Sequence, residues 1–193
     1  MHISATVLMG GKNSRMQGEN KALMEFKERQ MLEHILDVIK PIFDEIIFVS
    51  NDSSLDFKSF TPTKIVADII PNMGALSGIH AALTACSNPY SFVFACDMPL
   101  LDKNLILNQL KNINSSIDAI IPKHPEGIEP LHGIYAKSSE TVLKNHILSQ
   151  ENKKISLFLS KIQTFYWEIP YYNAFVNINT ENEKIFWEKH LNK

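Results

Sequence analysis

The apolar pattern of this chain changes period again and again, and that alternation constrains the fold more than any other feature. "ISATVLM" reads as a strand, "QMLEHILDVIKPIF" as an amphipathic helix with Met31, Ile35, Leu36 and Ile39 on one stripe, and "EIIFVS" as the next strand. Strand, helix, strand is the pattern of a βαβ unit. The series continues with "TKIVA" as a strand, "ALSGIHAALTAC" as a helix and "YSFVFAC" as an unbroken apolar strand of the kind covered on both faces. A helix follows from Asp102, a side chain suited to capping it, to about Asn112. Next come the strands "DAIIP" and "HGIYA" and helices from about Ser138 to Leu148 and from about Ser156 to Lys161. The chain closes with the strand "TFYWEI", a short strand "AFVNI" and the helix "TENEKIFWEKHL", where Thr180 and Glu183 match a capping box. This order predicts one three-layer α/β/α domain over residues 1–193 with a mainly parallel central sheet. There is no internal repeat, low-complexity tract or long linker. The segment "PKHPEGIEPL", Pro122 to Leu131, has three prolines and one glycine and reads as a mobile flap or substrate loop, with an ordinary turn between strands as the alternative.

A net charge of -2 with mixed, scattered Lys and Glu gives no whole-protein field for gripping nucleic acid, so any anion site must be local. The two cysteines, Cys86 and Cys96, sit in a chain of 193 residues that needs no staple, which suits a reducing compartment. The start "MHISATVLMGG" has too short an apolar run for a leader, and no stretch approaches the ~20 apolar residues of a membrane span. A cytoplasmic location is the expectation.

Where would a local anion site be? In open α/β sheets ligands bind at the carboxyl ends of strands. The loop leaving the first strand, "LMGGKNSRMQGENKAL", begins there with Gly10 and Gly11 and goes on to Arg15 and Lys21. Paired glycines permit positive φ and close approach of a phosphate to backbone N–H groups. Arginine occurs only at positions 15 and 29, and its planar fork suits phosphate oxygens. The spacing matches neither the Walker pattern nor a dinucleotide fingerprint. Asp97 directly follows a buried strand in "YSFVFACDMPLL", where its carboxylate can hold Mg²⁺ together with substrate phosphates; a plain helix cap is the alternative. Asp68 belongs on the same rim, and Gly74 and Gly78 bracket a helix start beyond it.

The loop resembles the signature of the molybdenum cofactor guanylyltransferases, whose usual form is Leu-Ala-Gly-Gly, a Ser-x-Arg-Met-Gly turn and a later Lys. "GALSGIHAAL" is similar to that family's Gly-Pro-Leu-x-Gly segment, "ACDMPLL" to its metal aspartate, "EPLHGIY" to its Pro-Leu-His segment and "FVNINTENE" to its Asn-Ile-Asn-Thr close. The five segments keep the family's order from Leu8 to Glu183. Met9 departs from the usual Ala and is read as a packing change, Gln17 separates Met16 from Gly18, and Ala75 stands where Pro is usual.

The resemblance implies a Rossmann-like nucleotidyltransferase fold and transfer of GMP from Mg·GTP to the terminal phosphate of molybdenum-bound molybdopterin, with release of pyrophosphate. It implies Lys21, Arg15 and Asp97 as catalytic, Asp97 as the Mg²⁺ ligand, Leu8 and Gly10 at the guanine, the Gly10 and Gly11 amides on the phosphates, and Met9 within the same nucleotide-binding stretch. Asp68 falls on the nucleoside side, and His132, with Asn177 and Asn179, is assigned to the pterin side, a satisfied core histidine being the alternative for His132. His80 reads as a packed helical residue. GTP and molybdopterin are the expected small-molecule partners. Transient contacts with molybdopterin-donating proteins and molybdoenzyme chaperones, a monomer or weak oligomer, and no nucleic-acid or membrane partner complete the expectation. A molybdopterin cytidylyltransferase, whose relatives carry Ala in place of Gly10, a sugar-phosphate nucleotidyltransferase and a non-catalytic molybdopterin carrier stay open as alternatives.

Overall fold

The computed structural model describes residues 2–10, 15–16, 19–53, 57–149 and 154–191. The first strand, β1 (Ser4–Leu8), is followed by the two-residue hairpin strands β2 (Arg15–Met16) and β3 (Glu19–Asn20), then β4 (Glu25–Phe26) and β5 (Arg29–Gln30), and helix α1 (Met31–Ile39). Strands β6 (Glu45–Val49) and β7 (Lys64–Val66), helix α2 (Ala75–Ala85), β8 (Tyr90–Ala95) and α3 (Lys103–Leu110) come next. The second half holds β9 (Ala119–His124), β10 (Gly127–Ile128), β11 (His132–Ala136), α4 (Glu140–Leu148), α5 (Ile155–Leu159), β12 (Thr164–Glu168) and α6 (Glu181–His190).

Local chemistry sets the helix ends. The α1 stripe Met31, Ile35, Leu36 and Ile39 is buried as its 3.6-residue period requires, and Glu33 reaches back to accept the Gln30 N–H at 2.8 Å. Asp102 caps α3 by accepting the Leu105 N–H at 2.9 Å, and Thr180 and Glu183 close the α6 capping box.

The large sheet runs β7, β6, β1, β8, β11, β9, with β10 and β12 both paired to β9. Strands β7, β6, β1 and β8 are parallel, β11 is antiparallel to β8 and β9, and β12 is parallel to β9. Alternating side chains cover both faces. Phe92 and Phe94 pack with Leu32, Ile35 and Ile106 of α1 and α3, whereas Val93 packs with Ile79 and Leu83 of α2 and with Leu143 and Phe158 beyond it. The three-layer α/β/α arrangement with a mostly parallel sheet follows. From β1 the chain winds out to β6 and β7, then returns through α2 to β8 on the other side of β1, so the strand order reverses at β1 and opens a crevice at the carboxyl ends of β1 and β8.

The short strands β2 to β5 are absent from the sequence reading, and two segments named there need comment. "AFVNI" is not a strand: one 3₁₀ turn, Asn173–Phe175, precedes an extended stretch whose Ile178 N–H donates to the Asp97 carbonyl at 2.8 Å. The Pro122–Leu131 segment takes the alternative of the sequence reading, a turn between strands rather than a free flap, because β9 runs through Pro122 to His124 and β10 pairs back as Gly127 with His124 and Ile128 with Lys123. Pro122 sits close to the turn and uses its carbonyl, which accepts the Glu129 N–H at 2.9 Å.

Candidate functional site

The crevice between β1 and β8 gathers Lys21, Asp97 and Asn179 from three distant parts of the chain. Asn20 builds the first leg: its side-chain oxygen accepts the Ala22 N–H at 3.0 Å, capping the 3₁₀ turn Lys21–Leu23, and its amide donates to the Met9 carbonyl at 3.3 Å at the end of β1. This fixes Lys21 with only 3% of its surface exposed. Its ammonium donates to Asp97 Oδ2 at 3.3 Å and to Asn179 Oδ1, so one of its three N–H groups has no partner among the described residues. Asp97 arrives from the end of β8. Asn179 arrives on the extended stretch that the Ile178 bond ties to the Asp97 backbone, and its own N–H is held by Glu183 at 2.8 Å. Asn179 therefore belongs with Lys21 and Asp97, not with a separate group around His132, while Asn177 is exposed one turn of the pleat away.

Burial pushes the Asp97 carboxyl above its ordinary pKa, and the Lys21 ammonium offsets only part of that rise. Among the described residues no three His, Cys, Asp or Glu side chains converge as a metal group. Asp97 fits the sparser arrangement that Mg²⁺ accepts, one carboxylate completed by substrate phosphates, because added positive charge at this buried carboxylate is favourable.

A second cluster lies across β1 at the ends of β6 and β7. Asn51 donates to Asp68 Oδ2 at 2.7 Å and accepts the Asp68 N–H at 2.8 Å, a two-bond clasp that joins the two strand ends. Burial raises the Asp68 carboxyl, and the Asn51 bond opposes the rise. Asn51 is absent from the sequence reading; only its pairing across the rim reveals it. Gly10 faces it. A Cβ on Gly10 would meet nothing closer than the Asn51 nitrogen at 4.0 Å, and Gly10 is not among the described residues with positive φ. The positive φ that paired glycines permit is thus not used at Gly10.

Other expected site residues move. Met9 is 0% exposed and packs in the core, and only its carbonyl faces the loop, so its side chain does not surround a base. Leu8 is buried under α2, where a Cβ on Gly78 would come within 2.9 Å of the Leu8 side chain; Gly74, the N-cap of α2, and Gly78 in its first turn bracket the helix start as expected. His132 is 0% exposed and ringed by Phe92, Phe94 and Phe175. Gln109 spends its amide N–H groups on the Ile120 and His132 carbonyls, so His132 Nδ1 donates to Gln109 Oε1 at 3.1 Å. Burial pushes its pKa down to about 4, and it is the neutral core histidine of the alternative reading, not a pterin contact. His80 is packed as expected, bonded to Glu140 at 2.8 Å. Gly11 lies outside the described residues, as does the side chain of Arg15, whose backbone pairs with Asn20. The other arginine, Arg29, is an exposed partner of Asp37 at 2.7 Å, and both cysteines are free.

A strand-order reversal carrying a lysine–aspartate pair at its crevice is a phosphate-handling geometry, and residues 5–162 match the MobA-like NTP transferase domain family. The chain belongs to this family. A relative from Clostridium perfringens (strain 13 / Type A), named "Probable molybdenum cofactor guanylyltransferase", is 37% identical over 188 residues, covering 93% of each chain. A "Molybdenum cofactor guanylyltransferase" from Desulfosudis oleivorans is 31% identical over 145 residues, covering 75% of this chain and 71% of that protein. The solved molybdopterin-guanine dinucleotide biosynthesis protein A from Archaeoglobus fulgidus superposes with a TM-score of 0.81 at 27% identity, covering 98% of both chains. The MobA-like chain described here thus has the Rossmann-like fold of the nucleotidyltransferases and is itself a nucleotidyltransferase.

Proposed function

We propose that this MobA-like chain transfers GMP from GTP to the terminal phosphate of molybdenum-bound molybdopterin, forming the guanine dinucleotide cofactor. An oxygen of the acceptor phosphate bonds to the α-phosphorus, the bond from that phosphorus to the bridging oxygen breaks, and pyrophosphate leaves with the electron pair. The acceptor is already an anion, so the site must chiefly overcome repulsion between two anions. The Lys21–Asp97 pair carries this reading: it stands at the strand-end crevice where the triphosphate would lie. Mg²⁺ on Asp97 would neutralise phosphate charge when bound. Asn179 holds the ammonium in place, and Arg15 and the Gly10–Gly11 amides complete the phosphate side in this reading. The Gly10, Asn51 and Asp68 rim takes the nucleoside.

In this proposal residues 1–193 work as one domain in the cytoplasm on small molecules, as a monomer or weak oligomer that meets molybdopterin donors and molybdoenzyme chaperones transiently. This is compatible with the lack of any helix, among the described residues, long and apolar enough to cross a membrane. Pyrophosphate release from each of the four nucleoside triphosphates, with and without molybdopterin, tests it. Release from GTP only when the acceptor is present is the expected result. Preference for CTP would make the enzyme a cytidylyltransferase, and stoichiometric binding without pyrophosphate would make it a carrier.

Two substitutions sharpen the test. Lys21→Met is expected to weaken GTP and GDP binding by ~10-fold or more, the scale of a hydrogen bond to a charged group, while guanosine binding stays level. Because Lys21 is buried, added salt should change that loss little. Calorimetric titration of the three ligands checks it, and equal weakening of all three would indicate collapse of the loop. Gly10→Ala should leave the fold unchanged, since its Cβ enters open space before Asn51. If the purine occupies that space, kcat/KM for GTP falls by about 10-fold relative to CTP, in the range for one small group in a pocket. A parallel fall for both nucleotides would remove Gly10 from base selection.

A further inference from the structure

The rim over β11, β9 and β12 carries a side-chain cluster that the nucleotide reading leaves unused. Register fixes its place. Ile134 pairs with both Phe92 and Ile120, so His124 on the β9 line stands level with Cys96 on the β8 line. One strand lies between them, a separation of two strand spacings or about 10 Å. His124 is buried, stacked on Phe175 at 5.6 Å and met edge-on by Tyr171 at 5.0 Å. Its Nδ1 accepts the Glu126 N–H at 3.2 Å, which places the ring proton on Nε2, and Nε2 donates to Glu129 Oε1 at 2.9 Å.

Glu129 is also clamped through its backbone. Its N–H donates to Pro122 O at 2.9 Å and its carbonyl accepts the His132 N–H at 3.1 Å. The second carboxylate oxygen, Oε2, has no hydrogen-bond partner among the described residues, and the side chain stays 20% exposed. Beside it Tyr171 is 42% exposed. A carboxylate has about four lone-pair sites, so Oε1 can accept again while bonded to His124. This is a fixed acceptor pair next to an open aromatic face. It suits a planar heterocycle that offers two adjacent N–H donors.

We propose that Glu129, oriented by His124, reads the N3–H and 2-amino edge of the acceptor's pterin, with Tyr171 alongside the ring. The inference rests on the reading of the acceptor as molybdopterin. In that molecule the donor edge lies at the opposite end from the phosphate, as Glu129 lies across the rim from Asp97. Guanine offers a similar edge, but the Gly10, Asn51 and Asp68 cluster lies on the other side of β1. Glu129 is the specificity residue and His124 a positioning residue.

The test uses the intact chain and two fluorescent probes, 6-hydroxymethylpterin and 6-hydroxymethyllumazine, the second with oxygen in place of the 2-amino group. Wild-type protein is expected to bind the pterin ~10-fold more tightly than the lumazine, as a site built for a polar group rejects its absence. Glu129→Gln should bring the two within about twofold. His124→Phe should narrow the preference as well, by releasing the carboxylate, while GTP binding stays level in both variants. A wild-type protein that binds neither probe or shows no preference overturns the proposal, as does a preference unchanged in Glu129→Gln or a parallel loss of GTP binding. GMP transfer to molybdopterin is scored separately: its absence in the wild type fails the acceptor reading, whereas transfer with an unmoved probe preference fails this inference alone.

Discussion

Asp97→Asn is expected to lower kcat/KM for GMP transfer by at least ~100-fold, the scale of losing one preorganised electrostatic group. Asparagine keeps the shape of the side chain but not its charge, and both assigned roles depend on charge: the pair with the Lys21 ammonium at 3.3 Å and the hold on a divalent cation. Fold stability should barely respond. Burial already raises the Asp97 carboxyl above its ordinary value, so the folded state disfavours this charge, and Asn179 continues to hold Lys21. The melting temperature should stay within roughly 4 °C, less than about 1 kcal/mol for a domain of this size. Kinetics over a magnesium titration, with thermal unfolding of both proteins, checks the pair of expectations. Wild-type turnover with an unchanged magnesium response would remove Asp97 from the site, and a large fall in melting temperature would mean that the ion pair serves the fold.

Elements whose residues contact one another locally were readable in the chain. The α1 stripe, the Asp102 cap and the Thr180–Glu183 box are each written within a few residues, and each forms. Lys21 and Asp97 were readable for another reason: Lys21 lies in the loop that leaves β1 and Asp97 just past the end of β8, and strand ends define the rim. What the sequence could not supply was register. His132 pairs with Phe94 and so points to the same side of the sheet, into the aromatic core, while His124, eight positions earlier, meets Tyr171 at the rim. Both are histidines near prolines, and only strand pairing separates them. Asn51 was hidden similarly, because its meaning comes from Asp68 on the neighbouring strand end. The segment "AFVNI" has strand-like composition, yet its Ile178 N–H bonds the Asp97 carbonyl instead of a ladder partner. Composition cannot foresee where a backbone donor goes.

The opposite end of the sheet is expected to govern stability without touching activity. Glu45 opens β6, in register with Ser4 at the start of β1, at the far ends of these strands from Gly10 and Asp97. Burial alone would raise its carboxyl, but hydrogen bonds from Ser4, Lys64 and Ser87 outweigh burial and hold its pKa down to about 2, against an ordinary 4.5. The Lys64 ammonium lies 2.9 Å from Oε1, and the Ser87 N–H donates to Oε2 at 2.9 Å. A depressed carboxylate pKa means that the folded state favours the charge. Its stabilisation is therefore full above pH 4.5 and is lost as pH falls through about 2. The shift corresponds to a contribution on the order of 3 kcal/mol. Glu45→Gln should lose about 2–3 kcal/mol at pH 7, because the uncharged amide leaves Lys64 without its counter-charge. Urea unfolding of both proteins from pH 7 down to 2 should show two curves that converge below pH 4.5 and meet near 2. A gap that stays constant with pH would mean that the lost contribution is packing, not ionisation. Since β1 and β6 keep their register, kcat/KM at pH 7 should remain within about twofold, as for substitutions outside the reacting region. A large fall in kcat/KM with the fold intact would show that strain at this end reaches the crevice along β1.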